Sequence, residues 1–276
     1  METQEIKTDQ YNISVLLPTR GRREVLQTSL LSLFEHADHP ERCELLLAFD
    51  QDDQISSDYF TSNIAPDLDD LGVTYAAYEF ERLGYIRLNE YINAIAAHSR
   101  GRWLMFWGDD AVMESQGWDT EIVSVPDFRV LRIPTHNQHP YAIWPIVPRA
   151  WYDLFGYMSP HQLTDTWVSQ VAYLLDIMQN IPVQATHDRF DLTGNNNDET
   201  FANRPMLEGR PGDPRDFNHV NWRQRRLEDC ERLSIMLESQ GQDMSWWKGV
   251  KAGTQDAWAK MCSREFDPNG QVSSFA

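Results

Sequence analysis

The sequence predicts an α/β fold: a mostly parallel sheet flanked by helices, followed by a C-terminal helical appendage. Three observations predict it. Apolar runs of strand length alternate with segments whose apolar residues recur at helical spacing, the order of βαβ units. Three proposed strands run directly into polar or charged clusters, Pro18-Thr19-Arg20, Asp50-Gln51-Asp52-Asp53 and Gly108-Asp109-Asp110. Hydrophobic residues make up 41% of 276 positions, enough for a sizeable core in one large domain or two tightly joined ones.

In chain order, "NISVLLP" from Asn12 to Pro18 is a β-branched and Leu run closed by proline, a buried strand. "EVLQTSLLSLFEHA" then places Val25, Leu26, Leu30, Leu33 and Phe34 on one helical face. "CELLLAFDQDD" is a second strand ending in acids and "VTYAAYEF" a third. "GYIRLNEYINAIAAHSRG" has Leu88, Tyr91, Ile92, Ile95 and Ala96 at helical spacing and leads into the strand "RWLMFW". Beyond Gly117-Trp118, "FRVLRIPT" and "YAIWPIVP" read as strands, "RAWYDLFGYM" and "TWVSQVAYLLDIMQ" as helices, and "IPVQAT" as a last strand. His187 to Asn218 is rich in turn formers, and "VNWRQRRLEDCERLSIMLES" is an amphipathic helix preceding a polar tail. Residues 1–218 are expected to form the main domain, with 12–118 as its ligand half and 119–218 as its second half. Residues 219–276 are the helical extension.

Composition narrows the function classes. A net charge of -18, from 42 acidic against 24 basic residues, repels a phosphate backbone and disfavours a generic nucleic-acid binder. Three cysteines without a CxxC pair supply neither a disulfide framework nor a zinc site, and a reducing compartment follows. The polar N-terminus has no apolar leader region and no run is long enough to cross a bilayer, so a soluble cytoplasmic protein is expected.

Gly108-Asp109-Asp110 poses the functional question. Two adjacent carboxylates at the end of a core strand need solvent, hydrogen bonds or a cation. Gly-Asp-Asp is also ordinary turn chemistry. Convergence decides for a site: in a parallel sheet all three polar clusters meet beyond the carboxyl ends of the strands, where ligands bind in such folds. A hard divalent cation prefers oxygen ligands and can bridge these carboxylates to a diphosphate.

"ISVLLPTRGR", "ELLLAFDQDD" and "RLGYIRLNEYINAIAAHSRGRWLMFWGDD", in this order and spacing, resemble the nucleotide-sugar glycosyltransferases of the GT-A fold, most closely the large family 2 grouping. The resemblance runs from about Ile13 to Asn203, continuing through "ESQGWD", "LTDTWVSQVA" and "ATHDRF". It implies a GT-A (Rossmann-like) sheet and a metal-dependent transfer of a sugar from a nucleoside diphosphate, most commonly UDP. Pro18, Thr19 and Arg20 would line the nucleotide pocket and Asp50 would accept from the nucleobase. The family usually shows Asp-x-Asp, and Gly108 stands where the first acid would be. The metal, Mn²⁺ or Mg²⁺, would then rest mainly on Asp110, with Asp109 facing sugar or ribose. His187 would complete the metal shell as the family's late histidine does, against a purely structural role and with Asp188 as a competitor. Asp165, at the start of an apolar helical run, is either an N-cap or the general base of an inverting displacement, and family position favours the base. Thr164 offers no such chemistry.

Other residues are read as structural. Arg22 is taken as a helix-start surface charge, and His136 and His139 as acceptor-side loop residues. Trp144, Trp151 and Trp167 are core, with one or two touching acceptor. The acceptor classes compatible with this chemistry are a glycan, a lipid-linked sugar, a protein or a modified nucleobase. Arg223, Arg225 and Arg226 are the one candidate basic surface for DNA, and their interleaved acids suit a solvated helix. Two other functions fit less well. A nucleotidyltransferase needs a Gly-rich basic loop after the first strand, and "PTRGRR" has one glycine. A catalytically inactive nucleotide- or glycan-binding module has no need of Asp50, Asp110 and Asp165 together.

Overall fold

The computed structural model describes residues 11–135, 139–188, 194 and 213–261. Its central sheet has seven strands. β1 (Tyr11–Pro18), β2 (Cys43–Asp50), β3 (Thr74–Phe80) and β4 (Gly101–Phe106) are parallel, in the spatial order β3-β2-β1-β4. The chain therefore leaves β1 to one side for β2 and β3 and returns to its other side for β4. This makes the gap beyond Pro18 and Phe106 the topological switch point. Three short strands extend the sheet past β4: β7 (Ile146–Pro148), β6 (Val130–Arg132) and β8 (Met178–Asn180). β7 is antiparallel to both β4 and β6, whereas β6 and β8 are parallel.

β1 and β2 are buried on both faces, which explains their unbroken apolar sequence. Alternation divides their side chains. Ile13, Val15 and Leu17 pack with Leu26, Leu30, Leu33 and Phe34 of α1 (Arg23–Glu35) in one core. Leu16, Leu46 and Ala48 pack with Tyr91, Ile92 and Ile95 of α4 (Leu88–Ala96) in the other. The stretch between β2 and β3, for which the sequence suggested nothing, is helical: α2 (Gln54–Tyr59), a π-turn at Phe60–Ile64, then α3 (Ala65–Asp70). Its buried Phe60, Ile64 and Leu68 recur every four residues and cap the α1 face.

The segment after the Gly-Asp-Asp turn is a staple. Gly117 takes φ 73°, a conformation that favours glycine, and a Cβ there would meet Asp38 Oδ2 at 2.7 Å. The following α5 (Trp118–Val123) locks onto the end of α1. Trp118 Nε1 donates to the Leu33 carbonyl at 2.7 Å, and the Asp119 carboxylate accepts from the backbone of Asp38 and His39 at 2.8 and 2.9 Å.

The second half departs from the expected elements in two places. α6 (Arg149–Phe155) forms as expected, but α7 (Thr164–Leu175) stops four residues before the expected end at Gln179. Asp176 turns left-handed at φ 57°, which Asp tolerates better than most residues. Met178–Asn180 is then free to pair with β6, so tertiary pairing overrides the helical pattern. "IPVQAT" supplies only β9 (Ala185–His187), and its partner is not the main sheet but β5 (Ala111–Met113), which follows the Asp109-Asp110 turn.

The helix Val220–Ser239 is amphipathic as expected, and its Cys230, Leu233 and Leu237 join the core that holds Trp167, Val168 and Val171 of α7. Its charges are not all solvated, which corrects the sequence reading. Arg226 is buried against the Phe217 and Trp167 rings and donates to the Phe217 carbonyl. Asp229 is buried and accepts from Tyr157 and Trp167. Helices Ser245–Lys251 and Ala257–Met261 follow. No helix of the described residues is long and apolar enough to cross a membrane.

Candidate active site

A cleft of about 400 Å³ opens at the switch point, beyond the carboxyl ends of β1, β2 and β4. Pro18, Thr19, Arg20, Asp50, Asp109, Asp110, Asp165 and His187 all line it, whereas Asp188, the competitor to His187, lies outside it in a small neighbouring pocket. The parallel register accounts for the first part: Pro18 pairs with Ala48 and Leu16 with Phe106, so the polar clusters beginning at Pro18, Asp50 and Gly108 start within about two residues of one another along the sheet edge. The β5–β9 ladder accounts for His187, whose Cα partner is Ala111, next to Asp110.

On the β2 side, Asp50 is buried with one bond on each carboxylate oxygen, which leaves acceptor capacity toward the cleft. It accepts from Arg20 Nη1 at 2.9 Å and from the Tyr91 hydroxyl. Tyr91 in turn accepts from the backbone of Leu83 at 2.7 Å and Gly84 at 3.3 Å, tying the turn after β3 to Asp50. Burial and the bond to Asp50 push the Tyr91 phenol up, so it remains a donor near neutrality. Arg20 also forks onto Asp52.

On the β4 side, the two adjacent carboxylates have different partners. Asp109 accepts from Thr19 Oγ1 at 2.8 Å and from Arg22 Nη1 at 2.6 Å. Asp110 faces Arg22 Nη1 at 3.2 Å and His187 Nε2 at 3.3 Å. Burial pushes the Asp109 carboxyl up, with Arg22 and Thr19 pulling against it. Burial acts on Asp110 in the same sense, but the bond and charge of His187, with Arg22, hold it below the usual carboxylate range. Arg22 is thus no surface charge: its side chain is 15% exposed and compensates both acids. Nothing in "TRGRR" distinguishes Arg22 from its neighbours, which is why the sequence misplaced it.

Gly108 explains the departure from Asp-x-Asp. A Cβ at this position would lie 2.9 Å from Asp110 Oδ1 and 3.1 Å from Trp144 Nε1, so a side chain here requires both neighbours to shift. Trp144 and Trp107 pack at 4.7 Å beneath the turn and both border the cleft, whereas Trp151 and Trp167 lie in the core. Trp107 Nε1 donates to Ser29 Oγ, which donates to the Gly108 carbonyl at 3.0 Å, fixing the turn from α1.

The second half of the chain closes the cleft with His139, Tyr141 and residues 162–166. His136 lies outside the described residues. Asp165 is in the first turn of α7, not at its N-cap, which is Leu163. Its Oδ1 accepts from the Thr166 backbone at 2.7 Å, leaving Oδ2 toward other partners. The N-cap alternative is therefore discarded.

A cation bridging protein to a diphosphate takes one or two protein ligands, with phosphate oxygens and water completing its shell. Asp110 and His187 offer an oxygen and an imidazole nitrogen side by side. No group of three His, Cys, Asp or Glu able to hold a metal occurs among the described residues. The donor set therefore fits a cation that arrives with a diphosphate, not a self-sufficient metal site.

No family model and no curated protein sequence matches the chain. Among solved structures, the mannosyltransferase PcManGT from Pyrobaculum calidifontis, in complex with GDP-Man and Mn²⁺, is similar at 12% identity over 96% of this chain and 85% of that one, with a TM-score of 0.51. S. aureus TarS 1–349 is similar at 15% identity over 64% of this chain, with a TM-score of 0.44, and the chain spans 58% of its length. Its complex with UDP-GlcNAc is similar at 14% identity over 92% of this chain and 80% of that one, with a TM-score of 0.47. The likeness to the mannosyltransferase extends over nearly the whole chain, and the fold is α/β of the GT-A type.

Proposed function

We propose that this chain is a glycosyltransferase that moves a sugar from a nucleoside diphosphate sugar, UDP-linked, to an acceptor hydroxyl with inversion. One observation carries the reading: eight residues drawn from five separate stretches of sequence line a single cleft at the switch point of a GT-A-type sheet. A neighbour in fold that holds GDP-Man and Mn²⁺ supports donors of this chemical class.

In this reading Asp50, held by Arg20 and Tyr91, accepts from the nucleobase, and Pro18, Thr19 and Arg20 line the nucleotide. Asp109 faces the ribose or sugar. Asp110 and His187 would hold Mn²⁺ or Mg²⁺, which when bound neutralises the charge of the leaving diphosphate. Asp165 takes the proton of the acceptor hydroxyl. The acceptor oxygen then bonds to the anomeric carbon as the bond to the diphosphate oxygen breaks, and the electron pair leaves with the diphosphate. The roles divide broadly by half-chain: residues 12–118 bind the nucleotide, residues 119–218 add His187 to the cation and Asp165 to the acceptor side, and the helix Val220–Ser239 packs on α7. The acceptor is a glycan, lipid-linked sugar, protein or modified nucleobase.

The test is a panel of UDP-, GDP- and dTDP-linked sugars incubated with the chain and Mn²⁺ or Mg²⁺, with released nucleotide as the readout. Release from one member above the protein-free rate is expected. No release from any member with either cation counts against the reading.

A further inference from the structure

Three buried side-chain nitrogen or oxygen atoms among the described residues have no hydrogen-bond partner: Gln162 Nε2, Thr164 Oγ1 and His187 Nδ1. All three residues line the cleft. Buried polar atoms are nearly always paired, because an unmade bond leaves the full desolvation cost standing. Orphans confined to the wall of one cleft mark groups whose partner arrives with a ligand. His187 has its other nitrogen beside Asp110, so its surroundings are those of the carboxylate pair. Gln162 and Thr164 lie just before Asp165 in the chain, and neither has a role in the function proposed above.

We propose that Gln162 and Thr164 form the subsite that recognises hydroxyl groups on the transferred sugar ring of the donor. The inference rests on the glycosyltransferase reading and deepens it. If Asp165 deprotonates the attacking hydroxyl, the anomeric carbon lies within about one bond-forming distance of that oxygen, roughly 3 Å. The ring carrying that carbon must therefore lie against the residues beside Asp165. Their chemistry matches it. A sugar hydroxyl both donates and accepts, the Thr164 hydroxyl does the same, and the Gln162 amide supplies an N–H that lacks an acceptor. The Gln162 terminal amide turns about a broad χ3, so it can meet a ring at little cost.

Depth separates the donor sugar from an acceptor sugar. Gln162 is 7% exposed and Thr164 1%, whereas Asp165 and Thr166 are half-buried. The group that enters first with the nucleotide occupies the deeper positions, and the acceptor reaches Asp165 from the more open side. A site of this kind rejects a ring that lacks the matching hydroxyl, since the buried polar groups are then left unpaired.

The experiment compares affinity for a nucleoside diphosphate with affinity for the corresponding sugar nucleotide, by calorimetry with Mn²⁺ present. The probes are UDP with UDP-glucose, GDP with GDP-mannose and dTDP with dTDP-glucose, taking whichever pair the wild type binds. Gln162→Met and Thr164→Val keep side-chain size and remove the orphaned groups. Each is expected to weaken the sugar nucleotide about tenfold and leave the bare diphosphate unchanged. Thr164→Ser should restore binding. Melting temperatures of the ligand-free variants should equal or exceed that of the wild type, because an unsatisfied buried group has been removed. An unchanged ratio of the two affinities overturns the subsite, as does equal weakening of both ligands in variants that melt normally. A wild-type protein that binds none of the three diphosphates overturns the glycosyltransferase reading itself, a different result from either.

Discussion

Arg22 Nη1 donates to Asp109 Oδ1 at 2.6 Å, and the same nitrogen reaches Asp110 Oδ2 at 3.2 Å. One guanidinium thus bridges two neighbouring buried carboxylates, with His187 as the second partner of Asp110. Replacing it by Met leaves two acids with His187 and Thr19 only, and breaking a buried ion pair in this way costs about 3 kcal/mol. A divalent cation can substitute for the lost charge. The melting temperature of Arg22→Met is therefore expected to fall, and Mn²⁺ is expected to raise it more than it raises that of the wild type. No Mn²⁺ shift in either protein would show that the carboxylate pair does not take up a cation.

Asp109 gives a pH dependence of known sign. Its carboxyl is pushed up in the folded state, chiefly by burial, so folding disfavours the ionised form. The penalty is present in full above the folded-state pKa and is relieved as pH falls through it toward the unfolded value. Asp109→Asn is expected to melt above the wild type at pH 7, with the gap narrowing as the solution is acidified. A gap that widens toward acid would mean that Arg22 outweighs burial.

Asp50 is held by Arg20 and Tyr91 at the end of β2, which suits a group that binds without reacting. Steady-state kinetics of Asp50→Ala should show the donor KM raised more than kcat is lowered. A change confined to kcat would remove Asp50 from the nucleobase site.

The central strands were legible because β1 and β2 are buried on both faces, and such strands read as continuous apolar runs. The cleft residues were legible because a parallel sheet brings strand ends to one edge, which makes the clusters at Pro18, Asp50 and Gly108 informative together. Among the short strands, β6 and β7 fall inside segments read as strands, whereas β8 begins inside an expected helix and β9 only overlaps its expected segment. β8 and β9 have three residues each, and their identity is set by β6 and β5, elements far away in sequence. Arg22 was misread, and the bond from Tyr91 to Asp50 was missed, for a related reason. One looked like a surface charge and the other like one apolar position in a helix, and only the folded chain brings them to Asp109 and Asp50. Gln162 and Thr164 carry no sequence signal at all, since their distinction is the absence of a partner.

Asp165 separates chemistry from binding. Asp165→Asn keeps the size of the side chain and can still accept from the Thr166 backbone, but it cannot take a proton. Transfer is expected to fall by roughly two to four orders of magnitude, with nucleotide affinity by calorimetry unchanged. A variant that transfers normally would leave Asp165 as a helix first-turn residue. One that loses nucleotide affinity would assign it to the nucleotide or cation site.

The most direct test of a donor site built on the switch-point carboxylates is nucleotide release from UDP-sugars by the wild type and by Asp110→Asn, each with and without Mn²⁺. Because Asp110 sits on a turn between β4 and β5, its replacement should leave the fold intact, which circular dichroism checks. The account predicts release by the wild type only when Mn²⁺ or Mg²⁺ is present, and none above background by a folded Asp110→Asn under either condition. Cation-dependent release by Asp110→Asn at the wild-type rate would contradict it.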